Sequence, residues 1–223
     1  MQQYMYMHRR ISSLFRPKKV ELIYNPIKEM FFNLGYERIQ REVLVSNDKL
    51  KLLYVGRLTK LKGIDKLLMF FPSILREFRN TELHIVGDGP LREYLVYLVH
   101  KLNLKNKVFI HGRVDNDSLL QIYKNATLLV TASYGESFCL PVGEAVASAI
   151  PSIVREVYAL KEHVELGYAV GFREDSPEYF VKAVGKALDN YEKLATRGYE
   201  VSRKLFYPSL VAERILKLLN SLS

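Results

Sequence analysis

Residues 51–78 read KLLYVGRLTKLKGIDKLLMFFPSILREF, and their pattern decides the fold class. KLLYVG (51–56) is a short, nearly unbroken apolar run closed by a glycine, the signature of a strand covered on both faces. GIDKLLMFFPSILREF (63–78) then carries apolar residues at helical spacing, with Pro72 expected to kink the helix or end it early. One strand and one helix in succession are half of a βαβ unit.

The same alternation continues downstream. ELHIVG (82–87), KVFIHG (107–112), TLLVTAS (127–133), PSIVRE (151–156) and YAVGF (168–172) read as five more strands. LREYLVYLVHKL, DSLLQIYKNA and LPVGEAVASA between them have helical spacing. The expected fold is therefore α/β, a Rossmann-like doubly wound parallel sheet of about six strands with flanking helices. Such sheets bind ligands outside the carboxyl ends of their strands. Toward the ends, VELIY (20–24) reads as a short strand and residues 36–50 as a polar loop. Residues 179–196 read as one helical stretch, and 208–220 as a second that starts at Pro208.

Bulk composition narrows the function. The 223 residues are 48% hydrophobic and 26% charged, an ordinary globular balance with enough chain for a real core. No run approaches the ~18 apolar residues of a membrane span, and the N-terminus lacks a signal peptide's apolar stretch. The single cysteine, Cys139, excludes an internal disulfide framework and fits a reducing compartment. A cytoplasmic protein is expected, with at most a peripheral contact to a membrane face. The net charge of +9 favours an anionic partner. No nucleic-acid motif accompanies it, and the five histidines show no metal-ligand spacing. His111 lies on a predicted strand and reads as a packed residue.

Four strand ends carry the chemistry. In VGRLTKLKG (55–63), Gly56 permits a tight reversal, and Arg57 and Lys62 could hold a diphosphate or simply form a basic surface loop. VGDGPLR (86–92) is a turn that opens a helix at Pro90, without the third glycine of a dinucleotide fingerprint. FIHGRV (109–114) leaves Arg113 on a βα loop. ESFCLPVGEA (136–145) places Glu136 before a helix and Glu144 about one turn inside it. The helix start can receive a phosphate on its free N–H groups, and the small residues Ser137, Gly143, Ala145, Ala147 and Ser148 are expected to keep the approach open. Taken alone, the two glutamates fit favourable placement against the helix dipole equally well.

The four signals, in this order and with these gaps, resemble the C-terminal, donor-binding domain of the retaining GT-B glycosyltransferases of family 4, over about residues 20–220. The resemblance implies a nucleotide-diphosphate sugar as donor substrate, UDP-, GDP- or ADP-linked, and no metal or other cofactor. It assigns Arg57 and Lys62 to the diphosphate, Glu144 to the ribose hydroxyls and Glu136 to the transferred sugar. Gly56, Arg113, Ser137, Phe138, Cys139 and Leu140 complete the donor contacts, those of residues 137–140 through backbone N–H groups. Two positions depart from the family: Cys139 replaces its usual glycine, and Tyr158–Ala159 replaces a Gly-Gly pair, while Glu162 keeps the following acid.

The resemblance also implies a domain division. Residues 1–24 match a remnant helix and linker of an acceptor-binding domain, 25–205 the donor domain, and 206–223 a helix that crosses back. Transfer is then expected to need an acceptor-binding domain, subunit or second copy of the chain. The alternative is a non-catalytic nucleotide-sugar-binding module or a membrane-associated interaction subunit.

Overall fold

The computed structural model describes residues 21–40 and 49–221. The expected N-terminal remnant helix and most of the loop expected at 36–50 fall outside the described residues. A helix, α1 (Glu29–Gln40), leads into the alternation. The strands are β1 (Leu50–Val55), β2 (Thr81–Val86), β3 (Val108–Gly112), β4 (Leu128–Thr131), β5 (Ser152–Arg155) and β6 (Ala169–Phe172). The helices between them are α2 (Ile64–Glu77), α3 (Arg92–Lys101), α4 (Asn116–Asn125), α5 (Leu140–Ala147) and α6 (Tyr158–Glu165). Three more follow β6: α7 (Pro177–Asp189), α8 (Tyr191–Leu205) and α9 (Pro208–Asn220).

All strand pairs are parallel, in the order β3-β2-β1-β4-β5-β6. This is the doubly wound arrangement expected from the sequence, and its direction of winding reverses between β1 and β4. Alternate residues along each strand feed two cores. Leu52, Tyr54, Leu128 and Val130 pack with Ile64, Phe71 and Phe180 on one face. Leu53 and Leu129 pack with Phe31, Tyr123 and Val142 on the other. The period of two sends neighbouring side chains to opposite faces.

Several local expectations are corrected. Residues 36–40 are the last turn of α1, not loop. Gly35 sits inside that helix because a Cβ there would lie 2.1 Å from the Ala147 carbonyl oxygen, so α1 and α5 approach through it. Pro72 does not end α2, which runs on to Glu77 while Phe70, Phe71 and Ile74 bury its apolar face. The stretch 179–196 is two helices broken at Asn190. Residues 21–24 of the expected N-terminal strand have no regular structure. Tyr24 instead joins an aromatic cluster with Phe138 and Phe206, and its hydroxyl donates to Glu162. His111 is on its strand but exposed, with Nε2 3.0 Å from Nδ1 of His84.

Candidate functional site

The strands that flank the reversal pair only briefly: Leu52 faces Leu128 and Leu53 faces Leu129. In sheets wound this way the place for a ligand is the crevice outside the carboxyl ends of these two strands. The loop after β1 forms a 3₁₀ turn at Lys60–Lys62 and ends on Gly63, whose φ of 65° only glycine adopts freely. A Cβ on Gly63 would also stand 2.2 Å from the Ala132 carbonyl oxygen, so the two loops touch there. They are stitched further by Tyr134 N–H, which donates to Leu61 O at 2.8 Å, and by Ser133 Oγ, which donates to the same carbonyl.

Across this seam Lys62 Nζ donates to Glu136 Oε1 at 2.6 Å. The side chains are 27% and 12% exposed, so the pair is only partly screened by water. Arg57 is exposed in the β1 loop, its own carbonyl held by the Tyr54 hydroxyl at 2.9 Å. Gly56 leads into that loop with its N–H on Val86 O. Arg113 is exposed after β3, two strands from β1 and so about 10 Å away along the sheet edge.

The Glu136–Glu144 segment adopts an unusual backbone. Cys139 precedes α5 at φ 70°, ψ 78°, in the left-handed region that penalises a Cβ. Tyr158, the first residue of α6, has φ 46° and a 56% exposed side chain. Of the residues standing where the resemblance expects glycine, Cys139 and Tyr158 thus keep a glycine-like conformation, and Ala159 does not. Cys139 is buried, and its thiol is pushed up to about 12 by burial and then by the nearby Glu136 carboxylate. Phe138 is buried with it, whereas Ser137 and Leu140 are exposed. Glu144 accepts a 2.8 Å hydrogen bond from the fully buried Tyr123 hydroxyl. Burial raises the Glu144 carboxyl above its ordinary range, outweighing that hydrogen bond. Gly143, Ala145, Ala147 and Ser148 do not line an approach: they are buried, and a Cβ on Gly143 would meet Ile27 at 2.7 Å. Their smallness serves the packing of α5.

Three supports of the site have no motif in the sequence. One is Tyr123, visible beforehand only as a helical apolar position. Another joins the loops after β4, β5 and β6. Buried Arg155 donates through Nε to Ala132 O at 3.1 Å and through Nη2 to Asp175, with its guanidinium 4.2 Å from the Tyr134 ring. Tyr134 completes this clamp by donating to Asp175 Oδ2 at 2.5 Å. The third is the buried pair His163 and Tyr168 behind Phe138. An arginine ending an apolar strand and a histidine on an apolar helix face were the available signals.

The model of the family described as glycosyl transferases group 1 matches residues 36–204. The chain belongs to that family. Among its relatives is an uncharacterized glycosyltransferase of Methanocaldococcus jannaschii, 38% identical over 152 residues. The match covers 66% of this chain and 39% of the relative. N-acetyl-alpha-D-glucosaminyl L-malate synthase of Bacillus anthracis is 28% identical over 69% of this chain and 40% of its own length. The chain thus spans about two fifths of these curated group 1 relatives. Sucrose-phosphate synthase from Thermosynechococcus elongatus superposes with a TM-score of 0.78 at 24% identity, over 99% of this chain and 56% of that one. Anabaena HepE, solved in complex with UDP and glucose, gives 0.73 at 17% identity over 90% of this chain and 56% of its own. At these identities the likeness is one of fold. Among the described residues no helix is long and apolar enough to cross a membrane, and no three acids, histidines or cysteines cluster as metal ligands.

Proposed function

We propose that this chain is the donor-binding half of a retaining family 4 glycosyltransferase and that it takes a nucleotide-diphosphate sugar in the crevice between β1 and β4. The observation that carries the reading is the Lys62–Glu136 pair, which sets a cation and a carboxylate face to face where the sheet's winding reverses. In this reading the diphosphate draws Lys62 and the exposed Arg57 to itself through charge-assisted hydrogen bonds. Glu136 is then released toward the sugar. Glu144, already oriented by Tyr123, accepts from the ribose hydroxyls. In the same reading the loop of Gly112 and Arg113 meets the base.

In transfer, the bond from the anomeric carbon to the diphosphate oxygen breaks while an acceptor oxygen bonds to that carbon. The acceptor's proton passes to the departing diphosphate. Positive charge develops on the sugar and negative charge on the leaving group. Arg57, Lys62 and the α5 N-terminus stabilise the second, and Glu136 faces the first. The reading assigns no metal to the site. An acceptor-binding domain, subunit or second copy would close over the exposed side of the crevice, and α9 would reach toward it.

The test is thermal unfolding with UDP-glucose, UDP-N-acetylglucosamine, GDP-mannose and ADP-glucose. At least one should raise the midpoint, and Glu144→Ala should abolish the rise. A wild-type chain indifferent to all four overturns the donor site. Retention is checked on the longer enzyme by the anomeric configuration of its product in NMR, and inversion would refute it.

A further inference from the structure

Cys139 occupies a left-handed conformation without glycine's freedom, and its side chain makes no capping hydrogen bond to α5. Something outside the loop must hold the preceding peptide. The carbonyl of Phe138 is 2.6 Å from Nε2 of His163, which α6 carries and which is 3% exposed. Nδ1 of the same ring is 2.7 Å from the hydroxyl of fully buried Tyr168, just before β6. The proton positions follow from chemistry. A carbonyl oxygen only accepts, so Nε2 carries a hydrogen. Burial pushes the imidazole below its ordinary range and keeps it neutral. Nδ1 is therefore a lone pair, and Tyr168 donates to it.

This arrangement dictates where the next amide points. The described chain has no cis peptide, and in a trans peptide the carbonyl and the following N–H are opposed. With the Phe138 carbonyl drawn toward α6, the Cys139 N–H is directed away from α6. It has no hydrogen-bond partner among the described residues. We propose that His163 is a positioning residue of the donor site: locked by Tyr168, it holds the Phe138–Cys139 peptide so that the Cys139 N–H is presented to the diphosphate sugar. The inference rests on the donor-site reading above. It assigns to α6 and the start of β6 a role in ligand geometry, although neither His163 nor Tyr168 touches the donor.

The experiment compares wild type, His163→Leu, His163→Gln and Tyr168→Phe by calorimetric titration with the nucleotide sugar that stabilises the wild type. His163→Leu should weaken binding about tenfold, the loss of one well-aligned donor. His163→Gln, whose amide can donate to Phe138 and accept from Tyr168, should stay within about threefold of wild type. Tyr168→Phe should fall between. A second readout needs no nucleotide. Cys139 is the chain's single cysteine and is 7% exposed, so iodoacetamide labels it only as the loop opens. Labelling should be about tenfold faster in His163→Leu and restored by Gln. Wild-type rates and affinities in His163→Leu overturn the proposal. If His163→Leu does not fold, unchanged binding and labelling in Tyr168→Phe overturn it instead. If the wild type binds none of the nucleotide sugars, the donor reading falls. The labelling series then decides alone whether His163 holds the loop.

Discussion

The loop after β2 (87–91) and the loop after β4 (132–139) lie at the same edge of the sheet, on either side of the loop after β1. The first braces its neighbour through backbone. Leu58 N–H donates to Asp88 O and Leu91 N–H to Leu58 O, both at 3.0 Å. Glycines allow this closeness: a Cβ on Gly87, at φ 128°, would lie 1.9 Å from the Gly56 carbonyl oxygen. The second loop also meets that neighbour through backbone, with Tyr134 N–H on Leu61 O at 2.8 Å, but adds a charged side-chain pair, Lys62 on Glu136. Both look like motifs in the sequence, yet one braces the loop of Arg57 and Lys62 and the other, on the proposed reading, shares the donor chemistry with them. A signature at a strand's carboxyl end can therefore mark a contact between loops as readily as a contact with ligand.

Four substitutions would break or sharpen that contrast. Gly87→Ala should have the largest effect, lowering stability by about 3 kcal/mol or more, because both the dihedral and the neighbouring backbone resist a Cβ. Thermal unfolding should register it, and nucleotide-sugar affinity of the remaining folded fraction should hardly change. Lys62→Ala should do the reverse. Affinity in titration should fall about tenfold, against roughly 1 kcal/mol of stability for a partly buried pair. A Lys62→Ala chain that binds normally would place the diphosphate elsewhere.

Glu144→Gln should raise stability while weakening binding. The folded Glu144 carboxyl titrates above its unfolded value, so the folded chain holds the extra proton and loses stability as pH rises through that window. Glutamine keeps the acceptor for Tyr123 and removes the charge. Its advantage in denaturant titrations should accordingly grow from about pH 4 toward neutrality. Asp175→Asn should have the smallest effect, a modest loss of stability near neutral pH that disappears in acid. Burial alone would raise Asp175, but hydrogen bonds from Tyr134 and Arg155 outweigh it and hold the carboxyl low. The stability this contributes is present above the ordinary Asp value near about 3.9 and fades as pH falls through the lower folded value. Wild type and Asp175→Asn should therefore converge in strong acid.

The six strands of the sheet were legible because short continuous apolar runs, several of them ending in glycine, have few other uses, whereas the strand expected at 20–24 is not one. The proposed site's charged residues were named through a resemblance that their spacing alone did not supply, and of them the structure pairs Lys62 with Glu136. What escaped was tertiary in origin. The last turn of α1 reads as polar loop until Gly35 is seen packed against Ala147. Pro72 reads as a stop until the burial of both its flanks outweighs one lost hydrogen bond. Tyr158 reads only as a replaced glycine, yet it starts α6 in a left-handed conformation. Arg155, Asp175, His163 and Tyr168 carry no local pattern, because each acts on a loop from a different strand or helix.

The brief pairing of β1 with β4 has a consequence of its own. Two rungs, Leu52 with Leu128 and Leu53 with Leu129, are the ladder between the three strands of one half and the three of the other. The middle of the sheet is thus the seam with the fewest paired rungs. A molecule gripped by Lys62 on one side and Glu144 on the other would act as a clasp over that seam. The exchange rates of the amides along it would then gauge how often the clasp is shut.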